Sequence, residues 1–357
     1  MFKLNQDNML QIDGSFGEGG GSIVRISSGL ACLKKIPIEI NNIRFNRKNP
    51  GLRLQHLVGI NTLAKLTGGS TNSLDVGSTF VKFNPGSEWN TNLNVHIRTA
   101  GNIGMLSQTI YNALYLAPPQ KYQIHVNGGG TYGTHAAGTS YLSNVIFPIF
   151  KNLGYSVNID VIKHGFYPKG GGKALITIIP SSSFYKNLNL EERGELEEIN
   201  GHIHVENSLK KPKVAERILS SILQNIKPNL TRSNEIQITT NYHNSLSVGV
   251  GVDIWCKYSS GAILGIGTTL GKRGVSSEKV GIIAANKLNF LLESSETVDE
   301  YASDQILPLL FVAKGPSKFV IRKKTMHFLT NLELLKGFFK RNFIIKNVEN
   351  GYFVHIL

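Results

Sequence analysis

The stretch DGSFGEGGGSIVR, residues 13–25, gathers five glycines around one carboxylate, Glu18, ahead of an apolar run. Glycine lets backbone approach a ligand closely, and a helix N-terminus favours an anion, so the local chemistry is that of a phosphate loop. Neither common pattern fits. A P-loop lysine must follow the last glycine, but Gly19 is followed by Gly20 and Gly21. The dinucleotide pattern matches Gly17 and Gly19 and then meets Ser22. Glu18 would repel the phosphate such a loop holds.

Two further triplets, Gly128–Gly130 and Gly170–Gly172, add to Gly19–Gly21. Three in one chain favour a shared phosphate-rich cleft over three unrelated tight turns. The run IRFNRKNPGLRLQHL places Arg44, Arg47, Lys48 and Arg53 ahead of Gln55. Arginine forks match phosphate oxygens, although a solvated basic loop has the same composition. Arg322, Lys323 and Lys324 precede TMHFLTN, whose His327 lies near an expected helix start. A lone histidine is more often a surface or satisfied core residue. EYASDQ brings Glu300, Tyr301, Asp304 and Gln305 to another helix start, where acids also serve as caps. These residues alone define a nucleotide- or RNA-binding α/β protein.

The chain has 357 residues and a formal net charge of +14, a balance that favours a polyanionic partner, RNA or DNA. Its 41% hydrophobic content supports a packed core, and its length suggests two domains. Cys32 and Cys256 form no C-x-x-C pair, so neither a disulfide framework nor a zinc site is expected. MFKLNQDNML lacks a signal-peptide core, and no apolar run is long enough for a bilayer. A cytoplasmic, membrane-free protein is expected.

The elements that must position these residues recur in one order. Residues 19–35 read as a helix, 36–45 as a strand, 51–68 as a helix, and NSLDV and TFVKFNPG as strands. From residue 102 the order helix, strand, helix, strand, strand returns, and again from residue 304. This predicts an α/β fold of three repeated units, with helices on one face of each sheet. Residues 1–183 and 276–357 form the large domain in this reading, and 184–275 a smaller inserted α/β domain. The helix SSEKVGIIAANKLNFLLES is read as the return to the main body, and SLKKPK as an added RNA contact.

DGSFGEGGGSIVR, RKNPGLRLQH, HGFYPKGGG, EYASDQ and HFLTN, in that order, resemble the RNA 3′-terminal phosphate cyclases nearly end to end. The resemblance implies three repeats of a two-helix, four-stranded unit with a smaller insertion. It also implies use of ATP and of Mg²⁺ or Mn²⁺ on an RNA with a 3′-phosphate end. A histidine, here His327, takes AMP from ATP and passes it to the RNA 3′-phosphate. The 2′-hydroxyl then closes the cyclic phosphate and releases AMP.

The same resemblance assigns roles residue by residue. Glu18 lies near the metal. Gly20, Gly21 and Arg25 hold nucleotide phosphate, and Arg44, Arg47 and Gln55 hold RNA phosphate. Gln108, Asp304 and Gln305 line the nucleotide site, and Tyr301 stacks on adenine. If the units pack about a pseudo-threefold axis, Glu18, Arg25, Gln55, Gln108 and His327 share one cleft. One departure stands out: Tyr132, His135, Ala136 and Ala137 replace a proline pair that walls the adenine, leaving Tyr132 or His135 to stack instead. Two rivals remain: a cyclase-like ribosome-biogenesis factor, which lacks the nucleophile, and an enolpyruvyl transferase, which the charge and HGFYPKGGG disfavour.

Overall fold

The computed structural model describes residues 2–5, 8–134, 136–230 and 236–357. The first unit runs β1 (Phe2–Leu4), β2 (Leu10–Asp13), α1 (Gly21–Lys34), β3 (Ile38–Asn41), α2 (Leu54–Thr67), β4 (Ser70–Thr71) and β5 (Val81–Asn84). Its sheet order is β1-β2-β3-β5-β4. Helix α2 stops at Gly68, whose φ of 65° reverses the chain without a Cβ penalty. The second unit runs β6 (Asn92–Asn102), α3 (Ile103–Leu114), β7 (Tyr122–Gly130), a second helix, β8 (Ser156–Lys163) and β9 (Lys173–Ile179). That helix is α4 (Thr139–Tyr141), a π turn over Leu142–Ile146, and α5 (Phe147–Asn152). Pro148, which has no N–H to donate, sits at the start of α5 just beyond the π turn.

Next come β10 (Asn189–Leu190), β11 (Leu196–Glu206), α6 (Val214–Asn225), β12 (Ile236–His243), β13 (Val250–Tyr258), β14 (Ile263–Gly265), β15 (Thr269–Leu270) and α7 (Ser277–Glu293). The chain closes with α8 (Ser303–Val312), β16 (Ser317–Ile321), α9 (Met326–Phe338), β17 (Phe343–Val348) and β18 (Gly351–Ile356).

Three sheets share one topology. The orders β2-β3-β5-β4, β6-β7-β9-β8 and β10-β16-β18-β17 all read first, second, fourth, third. In each, the first two strands are parallel and the rest antiparallel. The parallel pair requires a helical crossover between its strands, which is what α1, α3 and α8 supply. Three differences from the sequence reading follow. Each unit opens on a strand, β2, β6 or β10, that the reading left out. NSLDV forms no strand, and only Ser70–Thr71 pairs at that edge. The third unit is split, because residues 191–302 separate its first strand from its first helix.

One core joins the helices of the three units, with Ile23, Leu30, Ile60, Ile110, Leu307 and Leu332 all buried in it. Helices α1 and α3, α1 and α9, and α3 and α8 pack together there. A second core lies between β11–β14 and helices α6 and α7. Helix α7 does not return to the main body: Val280, Ala284, Leu288 and Leu292 bury in this second core. Among the described residues, no helix is long and apolar enough to cross a membrane.

Candidate active site

The loop between β2 and α1 is built by short-range chemistry. Asp13 Oδ1 accepts from the Ser15 amide at 3.0 Å and hydroxyl at 2.7 Å, turning the chain out of the sheet. Gly17 then takes φ of 57°, and a side chain there would collide with the Thr330 hydroxyl. That hydroxyl accepts from the Glu18 amide at 3.0 Å, pinning the loop to α9. The Glu18 carboxylate folds back over Gly20, into the space a Cβ would fill.

Glu18 is the centre of a polar set. Its Oε2 accepts from Ser22 Oγ at 2.9 Å and lies 3.2 Å from His327 Nδ1. Arg47 pairs with Oε1 and also donates to the Glu18 carbonyl at 2.9 Å. His327 is the second residue of α9, whose cap is Thr325, accepting from the Phe328 amide at 3.1 Å. With Nδ1 facing a carboxylate, that nitrogen carries the proton and Nε2 keeps its lone pair. The imidazole is half exposed, so Nε2 is accessible.

A cavity of about 420 Å³ opens beside His327. Arg25, Gln108, Tyr301, Asp304 and Gln305 line it with His327, so residues from all three units meet there; of the five residues expected to share one cleft, Arg25, Gln108 and His327 line this cavity. Arg25 Nε donates to Gln108 Oε1 at 3.2 Å. Burial pulls the Arg25 pKa down, while Glu18 and Asp304 counter it. Burial pushes Asp304 up to about 6, against the opposing pull of His327 and Arg25. Gln305 is held by the Tyr301 carbonyl at 2.8 Å and the Tyr111 hydroxyl at 3.3 Å. Tyr301 is 39% exposed at the cavity edge, T-shaped to Tyr141 and seated where Gly267 has no side chain. Met105, Leu270, Ala136 and Ala137 give the cavity apolar wall.

Other expected residues fall elsewhere. Gln55 does not line the cavity; its Cβ lies beside Gly101. Arg44 donates to the carbonyls of Asn49 at 2.7 Å and Gly51 at 3.0 Å, which shapes its own loop. Gly20 and Gly21 form the entry of α1. Tyr132 is not a cavity wall: it is 2% exposed and stacks on Phe166 at 5.7 Å. His135 lies outside the described residues.

His56 belongs to this site although no sequence motif marks it. It is 2% exposed, and its Nδ1 accepts from the Arg53 amide at 3.0 Å, which puts the proton on Nε2. Burial, reinforced by Arg25, Arg44 and Arg53, pushes its pKa down to about 3. The Nε2–H has no partner among the described residues and lies over Gly21, where Arg25 also reaches. A neutral donor, a guanidinium and the first amides of α1 thus meet at one point. Asp299 was also missed. It accepts from Tyr141 at 2.6 Å, Gly265 at 2.8 Å and the Tyr301 and Ala302 amides at 2.9 Å, fixing the turn that carries Tyr301.

The donor chemistry fits a nucleotide: the lining combines an aromatic ring and apolar wall with Arg25, Gln108 and His327. A cation at Glu18 would find one carboxylate. No cluster of three potential metal-binding groups surrounds it among the described residues, so phosphate and water would supply the remaining ligands.

The RNA 3′-terminal phosphate cyclase family model matches residues 16–345. A relative from Pyrobaculum aerophilum, named RNA 3′-terminal phosphate cyclase, is 34% identical over 97% of this chain and 97% of its own. Relatives of the same name from Archaeoglobus fulgidus and Methanosarcina barkeri are each 34% identical, over 92% and 98% of this chain and 95% and 100% of theirs.

Proposed function

The chain belongs to the RNA 3′-terminal phosphate cyclase family, and from that premise we propose that it uses ATP to convert an RNA 3′-phosphate into a 2′,3′-cyclic phosphate through a histidine–AMP adduct. The contact between His327 Nδ1 and Glu18, at the mouth of a cavity lined from three units, carries this reading. His327 Nε2 attacks the α-phosphorus of ATP. The bond to the bridging oxygen breaks, and pyrophosphate leaves. Positive charge develops on the ring as the P–N bond forms, and the Glu18 carboxylate against Nδ1–H offsets it.

An oxygen of the RNA 3′-phosphate then attacks the same phosphorus, breaking the P–N bond and freeing His327. The 2′-hydroxyl attacks the RNA phosphorus, and AMP departs with the hydroxyl proton. Arg25, Gln108 and the His56 Nε2–H hold phosphate oxygens at the entry of α1, and Tyr301 stacks on the adenine. Arg47 leaves Glu18 for RNA phosphate when substrate enters. Mg²⁺ or Mn²⁺ beside Glu18 neutralises phosphate charge when bound. The buried, free Cys32 and Cys256 are in keeping with a reducing, cytoplasmic setting.

Incubation with α-labelled ATP and Mg²⁺ or Mn²⁺ tests the adduct. A covalent, acid-labile label on the wild type, absent from His327→Ala, is expected. No label under either metal, or equal label on the variant, would remove the mechanism.

A further inference from the structure

HGFYPKGGG has no part in the chemistry above. Its His164 lies on the loop joining β8 to β9, in the second unit. Two more histidines face it from a different sheet. His204 is on β11 and His243 on β12, and the parallel register pairs His204 with Asn241. His243 is therefore two residues along the same face, within diagonal reach. The rings meet closely: centroids are 4.0 Å apart for His164–His243 and 4.5 Å for His164–His204. One ring nitrogen from each lies within 4.8 Å of the other two.

We propose that His164, His204 and His243 bind one divalent first-row transition ion, with Zn²⁺ the best match, as a clasp between the second unit and the smaller β11–β15 unit. Three observations support it. First, His164 is oriented from behind. Its Nδ1 is 3.1 Å from Thr131 Oγ1, which can donate to the Gly165 carbonyl at 3.2 Å. Nδ1–H then donates to that hydroxyl and Nε2 is left with its lone pair, the arrangement usual for a metal-binding histidine. Second, His204 Nδ1 and His243 Nε2 face each other across 2.7 Å, so a slight separation of the pair seats an ion between them. At that spacing one proton is shared, and an ion would replace it. Third, His164 is buried while His204 and His243 are partly exposed, which gives an ion an entry path.

The ligand type selects the ion. Three imidazoles without thiolate or carboxylate suit Zn²⁺ and its neighbours and leave a fourth position for water. The position gives the site its purpose. Tyr132 and Phe166 stack at 7° beside His164, in space that Gly249 and Gly251 leave open. That contact is a seam between the two units. The residues after Tyr132, Gly133 and Thr134, line the cavity next to His327. The clasp therefore braces one wall of the reaction site. Counting cysteines gave no hint of it.

The test uses the full chain, stripped with chelator, reloaded with Zn²⁺ and dialysed, with metal measured by plasma emission. One equivalent is expected in the wild type and in Glu18→Gln. Competition with a chromophoric chelator should show at least about 100-fold weaker binding in His204→Gln and in His243→Asn. His243 lies on the edge strand β12, so its variant serves if His204→Gln fails to fold. Co²⁺ loading should give the visible absorption of a four-coordinate ion. Wild-type metal content no higher than that of either variant would overturn the proposal, leaving a hydrogen-bonded histidine pair.

Discussion

Replacing Glu18 by glutamine separates its charge from its shape. The amide oxygen can still accept from Ser22 Oγ and from His327 Nδ1–H, so the imidazole keeps its orientation. The formal charge 3.2 Å from Nδ1 is lost. Coulomb's law at that distance gives ~5 kcal/mol at an effective dielectric of about 20, and ~1 kcal/mol in bulk water. His327 is half exposed and Glu18 mostly buried, which places the loss between the two, at ~2–3 kcal/mol. The charge matters chiefly once the ring becomes cationic in the adenylation transition state, so the loss falls on rate rather than on ATP affinity. Single-turnover adenylation should slow roughly 30- to 150-fold with ATP binding little changed. Saturating Mn²⁺ should not recover the rate, because the lost contact is to the imidazole. A wild-type rate in Glu18→Gln, or full recovery by metal, would refute this account of Glu18.

Gly20→Ala places a methyl where the Glu18 carboxylate lies, so the carboxylate must swing from His327. Adenylation should fall at least as far as in Glu18→Gln, with the unfolding midpoint little changed; an unchanged rate counts against the geometry. His56→Ala removes the unpartnered Nε2–H over Gly21 and should weaken ATP or RNA-phosphate binding by ~1.5–3 kcal/mol, roughly 10- to 150-fold by titration calorimetry. Equal affinity for both ligands would show that no phosphate reaches it. Tyr301→Ala should raise the KM for ATP by ~1–3 kcal/mol of lost stacking, and Tyr301→Phe should restore it; a failed rescue would point to the hydroxyl instead. Asp253 is buried, its Oδ1 accepts from Thr268 at 2.6 Å, and the Tyr132 hydroxyl also faces the carboxylate. Burial pushes its pKa from 3.8 up to about 7. The unfolded chain therefore loses this proton first, and wild-type stability falls as pH rises through that window. Asp253→Asn removes the fall, so its advantage in denaturant unfolding should grow from pH 4 to pH 8; a pH-independent difference would refute the burial argument.

What sequence revealed and concealed follows from how each site is assembled. Arg25, Gln108, Asp304 and His327 each sit in the first half of a helix that follows the first or the second strand of its repeat. Repetition then predicts that helix starts meet, and periodicity carries that far. The pairing of Glu18 with His327 depends on the Thr330 hydroxyl holding a loop from three hundred residues away, and no local pattern encodes it. The first strands had a readable signal in one case: Leu93, Val95 and Ile97 alternate along β6. Strand β10 is only two residues long and is completed by β16 across the whole inserted unit, so it had none.

His56 was also legible. Ile60, Leu63 and Thr67 place it on the buried stripe of α2 at helical spacing, whereas Gln55 is turned about 100° from it. The histidine cluster is the opposite case. Its members come from a hairpin loop and two neighbouring strands, with spacings of 40 and 39 residues that match no ligand motif. Spacing rules detect metal sites built within one turn or hairpin. A site that joins two units must draw on both, so the clasp between them is the feature a linear reading is least equipped to find.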